Sequence, residues 1–374
     1  MKIVVCPDSF KDSLTSKEAA KAIKEGILEA NKNVHVEVIN VADGGEGTYE
    51  SIKAVRKVKE KTLTVIGPLK KNVIAKYGII EEENAAIIET AECCGIQLVP
   101  ISKRNPLITT TYGIGQLINH CLDKEIRKFY IGLGGSSTND GGVGMLQALG
   151  VKVINAQEKI IPLGGKYLND IKRIELEGID KRIKECEFIV ACDVDNTILG
   201  KNGATYVYGP QKGASTQMIE ELEHGMSNYV TIIEKNTGKQ FENIKSLGAA
   251  GGLGFAFYLI GGKLVKGIDM ILDIYSFDQL INDADYVITG EGKIDSQTSH
   301  GKTIYGIAKR CKQKGIKVIA MCGCIEGDIS DLYNIGVTSV FSIINKIDTI
   351  EEALINAKIE LKKLTFNIMN LISN

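Results

Sequence analysis

Three stretches near the start of the chain decide the fold: Lys2-Ile-Val-Val-Cys6, Thr15-Ser-Lys-Glu-Ala-Ala-Lys-Ala-Ile23 and Val34-His-Val-Glu-Val38. The first is wholly apolar after its lysine, the pattern of a short strand buried on both faces. In the second, Thr15 can cap a helix while Glu18, three residues on, closes a capping box. Ala19, Ala20, Ile23, Ile27 and Ala30 then recur at helical spacing. The third alternates as a strand. The unit is therefore β-α-β, which predicts a parallel pair with a right-handed crossover.

The same rhythm returns at the other end of the chain. DYVIT (285–289), a helix over 303–314, KVIAMC (317–322), SVFSI (339–343) and a long helix from about 349 follow one another. Between the two ends the pattern changes. Residues 61–92 give three strands joined by Gly-Pro and Glu-Asn turns, an antiparallel meander. Helical spacing at 109–123 and 140–149 and the strands FYIGL and EFIVAC (187–192) complete the middle. The expected fold class is α/β. A doubly wound, mostly parallel sheet domain is built from 1–65 and 275–374, and 66–274 is inserted as a mixed α/β domain.

Composition narrows the function. The chain has 374 residues, with Lys+Arg 45 against Asp+Glu 46, so no surface-wide field draws it to nucleic acid or anionic lipid. The basic stretch Lys53–Lys61 reads as a solvated helix face. Charges arrive too early for a signal peptide. The longest weakly polar run, Leu247–Gly262, is too short and too rich in glycine to span a bilayer. Nine cysteines without a C-x-x-C pair, and four histidines off ligand spacing, argue against zinc and for a reducing cytoplasm. Glycine stands out: 40 residues against 6 prolines, in clusters between apolar runs.

Glycine lets backbone N–H groups approach an anion, and five polar clusters contain it or sit beside it. Pro7-Asp-Ser-Phe-Lys11 follows the first strand, so Asp8, Ser9 and Lys11 stand where open α/β sheets bind ligands. Ala42-Asp-Gly-Gly-Glu-Gly-Thr48 puts two carboxylates on a glycine turn. They could hold Mg²⁺ through water, or Asp43 could accept a proton. Gly132–Gly144 sets Gly134, Gly135, Ser136, Ser137, Thr138, Asn139 and Asp140 between a strand and a helix, which reads as a phosphate cradle. Asp193 and Asp195 leave a strand end as a Mg²⁺ or general-base pair, and Lys212 stands on a Gly-Pro turn as a free cation. Finally, Thr289-Gly-Glu-Gly-Lys-Ile-Asp295 follows a strand and supplies Glu291, Lys293 and Asp295. Helix caps, turns and loop salt bridges are the competing structural readings of these residues.

Two lookalikes fall away. Gly301-Lys302-Thr303 ends like a Walker A motif, but residue 296 is Ser where the first glycine belongs. The first βα turn lacks G-x-G-x-x-G. Phosphate-friendly loops, acid pairs and isolated lysines without a redox fingerprint point to phosphoryl transfer.

Taken together, PDSFKDSLTS (7–16), VADGGEGT (41–48), RNPLITTTYGIGQLI (104–118), GLGGSSTNDGGVGMLQALG (132–150), ACDVDN (191–196), GPQKGA (209–214), GAAGGLG (248–254) and DYVITGEGKIDSQT (285–298) resemble the bacterial-type (class I) glycerate kinase family along almost the whole chain. The resemblance implies a two-domain α/β enzyme that phosphorylates D-glycerate with ATP and Mg²⁺. It favours 2-phosphoglycerate, with 3-phosphoglycerate as the alternative, and leaves a homo-oligomer open. The rival readings are an NAD-dependent hydroxy-acid dehydrogenase and a non-catalytic glycerate-binding protein. It implies nucleotide phosphates on the 132–144 loop, Asp193 and Asp43 as metal holder and base, and Arg104 or Lys11 on the glycerate carboxylate. Asp12, Gln116, Ser137, Thr197 and Lys293 depart from the family pattern. Only Lys293 touches an expected contact, where it keeps the charge of an arginine but loses its bidentate geometry.

Overall fold

The computed structural model describes residues 1–39, 41, 48–53, 55–296, 298, 303–347 and 349–373. Along the chain the strands are β1 (Lys2–Val5), β2 (His35–Val38), β3 (Val58–Ile66), β4 (Asn72–Ile80), β5 (Ala85–Glu89), β6 (Lys128–Gly132), β7 (Lys152–Asn155), β8 (Ile171–Glu175), β9 (Glu187–Ala191), β10 (Lys263–Val265), β11 (Tyr286–Ile294), β12 (Lys317–Ile325) and β13 (Val337–Ser342). The architecture is mixed α/β with mostly parallel sheets. It divides into two units, Met1–Val55 with Ile268–Asn374, and Arg56–Gly267.

In the first unit the sheet order is β13-β12-β11-β1-β2, and every neighbouring pair is parallel. The chain steps from β1 to β2 on one side, then returns to lay β11 against the other side of β1. That reversal is a topological switch point, where open α/β sheets leave a crevice at the carboxyl ends of the strands. Thr15 caps helix Ser16–Ala30: its hydroxyl accepts from the Glu18 amide at 3.3 Å, and the Glu18 carboxylate accepts from the Thr15 amide at 2.9 Å. The same box, Thr349 with Glu352, opens helix Ile350–Ile372. Gly26 lets these two helices close together, since a Cβ there would stand 2.5 Å from the Lys362 carbonyl oxygen. Ile3, Val5, Ile23, Ile27, Met321 and Leu361 share one buried core.

One local expectation is corrected here. Gly290-Glu-Gly-Lys293 is not a turn after a strand, because β11 runs on to Ile294. Its glycines answer to neighbours: a Cβ on Gly290 would lie 2.2 Å from the Met321 carbonyl oxygen of β12. On Gly292 it would lie 3.0 Å from the Lys11 amide nitrogen.

In the second unit the order is β10-β9-β6-β5-β4-β3. β10, β9, β6 and β5 pair in parallel, and β4 and β3 continue as an antiparallel meander. Phe129 and Phe188 stack at 4.8 Å across the β6–β9 pair, within a core that also holds Phe255 and Phe257. The β7–β8 hairpin, helix Thr216–Thr237 and β10 carry no signal read from the sequence. Helix Ala249–Leu259 is hidden by its glycines and contains a left-handed break at Ala250, Gly251 and Gly252. Among the described residues no helix is long and apolar enough to cross a membrane.

Candidate functional site

The first unit gathers six of the residues singled out in the sequence. Asp8, Ser9, Lys11, Glu291, Lys293 and Asp295, with Gly292 between them, line a pocket of about 400 Å³ at the switch point. Backbone pairing puts them there. The Cys6 amide donates to Ile288 O at 2.9 Å and the Asp8 amide to Gly290 O at 2.8 Å, so the chain after β1 follows β11 outward. Asp8 is held at both oxygens: Oδ1 accepts from the Ser9 amide and Oδ2 from the Thr303 hydroxyl, each at 2.6 Å. Thr298 donates its hydroxyl to Glu291 at 2.7 Å and accepts the Asp295 amide at 3.2 Å, tying the Glu291 carboxylate to the backbone of Asp295. Lys293 pairs with Glu326 and, at 3.6 Å, with Asp295; the bond to Glu326 raises its pKa. Lys11 is exposed and has no ion-pair partner among the described residues. Asp43 lies outside the described residues.

The second unit brings its polar residues to the carboxyl ends of β6 and β9. Gly132 pairs with Ala191, and the Leu133 amide donates to Ala191 O at 3.3 Å, so residues 133–136 and 192–195 leave the sheet side by side. The glycine-rich loop is largely turned inward. Ser137, Thr138, Asn139 and Asp140 are each at most 2% exposed and Ser136 is 7% exposed, while Gly134 is half-buried and Gly135 exposed. Amides of Ser137, Gly141, Gly142 and Val143 are taken by Cys94 O, Gly251 O, Asp140 Oδ1 and Asp140 O. The helix that follows, Val143–Ala148, is short.

Asp140 is the brace of this loop. It accepts from the Thr111 amide at 2.9 Å, from the Thr111 hydroxyl at 3.0 and 3.1 Å, and from the Thr110 hydroxyl at 3.3 Å. Burial raises its carboxyl pKa against the pull of these bonds. Thr110 and Thr111 received no role from the sequence. Three consecutive threonines before a helix were the only hint.

Lys212 departs from its expectation as a free cation. It is 2% exposed, and its ammonium donates to Ser136 Oγ at 3.0 Å and to the Thr138 carbonyl oxygen at 2.7 Å. Burial lowers its pKa to about 8, while Cys94 and Asp140 pull the other way. The turn that carries it is pressed on Arg104: Gly213 sits at φ +90°, where a Cβ would meet Arg104 O at 2.4 Å. Arg104 is half-buried, and among the described residues its Nε has no hydrogen-bond partner.

The expected acid pair at 193 and 195 is split by its surroundings. Asp193 is exposed and its Oδ1 accepts from the Gly267 amide at 2.9 Å. Asp195 is tied to Lys266 at 2.9 Å and Lys245 at 3.4 Å, and the Lys266 bond lowers its pKa. Among the described residues no group of three or more His, Cys, Asp or Glu is arranged to hold a metal ion.

The model of the glycerate kinase family matches residues 3–373. The chain belongs to the glycerate kinase family. A protein named glycerate kinase from Halalkalibacterium halodurans is 43% identical, over 94% of this chain and 93% of its own length. One named glycerate 2-kinase from Escherichia coli K12 is 41% identical, over 98% and 97%. The crystal structure assigned to glycerate kinase 2 of Salmonella typhimurium LT2 superposes with a TM-score of 0.86 at 40% identity, covering 100% of this chain and 98% of that one. The chain is thus an enzyme of the glycerate kinase family. Within each unit this kinase sets lysines and carboxylates at the carboxyl ends of parallel strands, where charge on a phosphoryl group can be opposed.

Proposed function

We propose that this kinase transfers the γ-phosphoryl group of ATP, taken up as Mg·ATP, to a hydroxyl of D-glycerate. The observation that carries the reading is the single pocket of Asp8, Ser9, Lys11, Glu291, Lys293 and Asp295 at the switch point of a parallel sheet. Phosphoryl transfer asks the protein mainly for positioning and charge neutralisation, and two lysines among three carboxylates suit a metal-bound polyphosphate. Lys11 and Lys293 oppose phosphate charge. Glu291 and Asp295 suit Mg²⁺ through its water shell, the metal entering with the nucleotide and shielding charge at the transferred group.

Arg104, Lys212 and Ser136, with the backbone of Gly134 and Gly135, are assigned to glycerate and its carboxylate. Glycine-loop residues Ser137, Thr138, Asn139 and Asp140 are assigned a supporting role, because their side chains are buried and the amides of Ser137, Gly141, Gly142 and Val143 bond protein acceptors. Asp193, exposed beside the loop, is the favoured acceptor of the hydroxyl proton, with Asp43 the other candidate. Likeness to a protein named glycerate 2-kinase favours the 2-hydroxyl and 2-phosphoglycerate over the 3-phosphate. Nine unpaired thiols suit a reducing cytoplasm.

A coupled assay of ADP release with D-glycerate and Mg·ATP tests the reaction, and phosphorus NMR of the product tests the position. No ADP release at any Mg²⁺ concentration would sink the kinase reading. A 3-phosphate product would overturn the regiochemistry alone.

A further inference from the structure

Beside the charged pocket, the first unit carries a second cavity that the reading above leaves unused. It measures about 360 Å³ and its walls are chiefly apolar, with Phe10, Ile343, Ile344, Leu354 and Ala357 among them. It lies at the carboxyl ends of β12 and β13, against the first two turns of helix Ile350–Ile372. Lys11 and Gly292 line both cavities, so the two adjoin at one cation. Bare backbone floors the junction: a Cβ on Gly323 would stand 2.4 Å from Gly292 O, so this wall is kept flat and close. The two hydroxyls on the wall are already engaged, Ser13 donating to Leu354 O at 2.8 Å and Thr349 to the Glu352 carboxylate at 3.2 Å.

We propose that this slot holds the purine base of the nucleotide, with its phosphates passing Lys11 into the charged pocket. The inference rests on the kinase reading and names where the nucleotide is recognised. Glycerate cannot be the occupant, because every one of its three carbons bears oxygen and it has no apolar face to bury. Of the two reactants only the base offers a flat, largely apolar body that gains from leaving water. The polar end of the same molecule then meets the cation shared by the two cavities. Base recognition and phosphate recognition thus fall on one sheet edge, on adjoining strands.

Cys324 gives a direct readout, because it is exposed and lines the slot. In the full-length protein its maleimide labelling, followed by peptide mapping, should slow at least threefold with adenosine or ATP and stay unchanged with inorganic tripolyphosphate. Half-exposed Ala353 also lines the slot, and Ala353→Trp should fill it. That variant should raise KM for ATP about tenfold or more while leaving kcat and KM for glycerate within about twofold. Unchanged Cys324 labelling with adenosine overturns the proposal, as does an unchanged ATP KM in folded Ala353→Trp. Should that variant fail to fold, the labelling result decides. If the wild-type protein released no ADP, the kinase reading would fall while adenosine protection of Cys324 still reported on the slot.

Discussion

Lys212 holds its ammonium under Ser136 and Thr138 with two of its three N–H donors used. The third has no hydrogen-bond acceptor among the described residues and can meet a carboxylate, and burial makes that charge worth more than at the surface. Its folded pKa of about 8 lies below the ordinary lysine value, so folding carries the cost of the buried charge at neutral pH. The cost is relieved as pH rises from about 8 towards the unfolded value near 10.5. Stability from this group therefore increases with pH across that window. Glycerate binding should move the opposite way: kcat/KM for glycerate falls above pH 8 in the wild-type profile, and Lys212→Met removes that limb and raises KM tenfold or more. Asp193→Asn should cut turnover by roughly 10²–10⁴ with the circular dichroism spectrum unchanged. Near-normal turnover would move the base to Asp43, and Asp43→Asn under the same assay decides between them. Asp8, Lys11 and Glu291 were legible as candidates because they follow or extend strands of a βαβ pattern. Asp140 was not legible as a brace. Its partners stand about 30 residues earlier in the chain, and no local spacing announces them.

At the scale of the element, glycine misled where its reason lay in another strand. Gly290 looks like a turn residue, yet it is strand backbone passing under the Met321 carbonyl oxygen. Gly290→Ala should cost roughly 1–3 kcal/mol in urea unfolding, because β11 and β12 have to separate locally. The meander β3-β4-β5 was legible from its turns, but not the charged cluster at its end. There Glu83 accepts from Arg56 at 2.9 Å, Lys128 at 3.0 Å and Tyr130 at 2.8 Å. Burial alone would raise its pKa, but these three bonds outweigh it and hold the carboxyl near 2, against an ordinary value of 4.5. The stabilisation is present above about pH 4.5 and lost as pH falls towards 2. Glu83→Gln should destabilise by roughly 1–3 kcal/mol at pH 7 and by much less at pH 2.5, read from urea curves at the two pH values.

For the whole molecule, the alternation of βαβ rhythm at both ends with a meander between them made the α/β class readable. The strand order inside the second sheet was not, because β9 and β10 join it from far along the chain. The second unit has its own core and its own hydrogen-bonded sheet. Residues 56–267 expressed alone should fold cooperatively, with a dispersed NMR spectrum and a single thermal transition. An uncooperative melt would refute that independence.

Strand β1 has β2 on one side and β11 on the other, and β11 begins at Tyr286. During synthesis the first 55 residues leave the ribosome long before their sheet can be finished. At about 5–20 residues per second the intervening segment takes roughly 10–50 s to emerge. Throughout that interval the Ile3–Val5 edge has no strand to its left, the kind of open edge that recruits other chains. The inserted unit is complete by Gly267 and can fold first. The unit that begins the chain is therefore the last to form, and its nascent state is the point at which this protein most needs protection from aggregation.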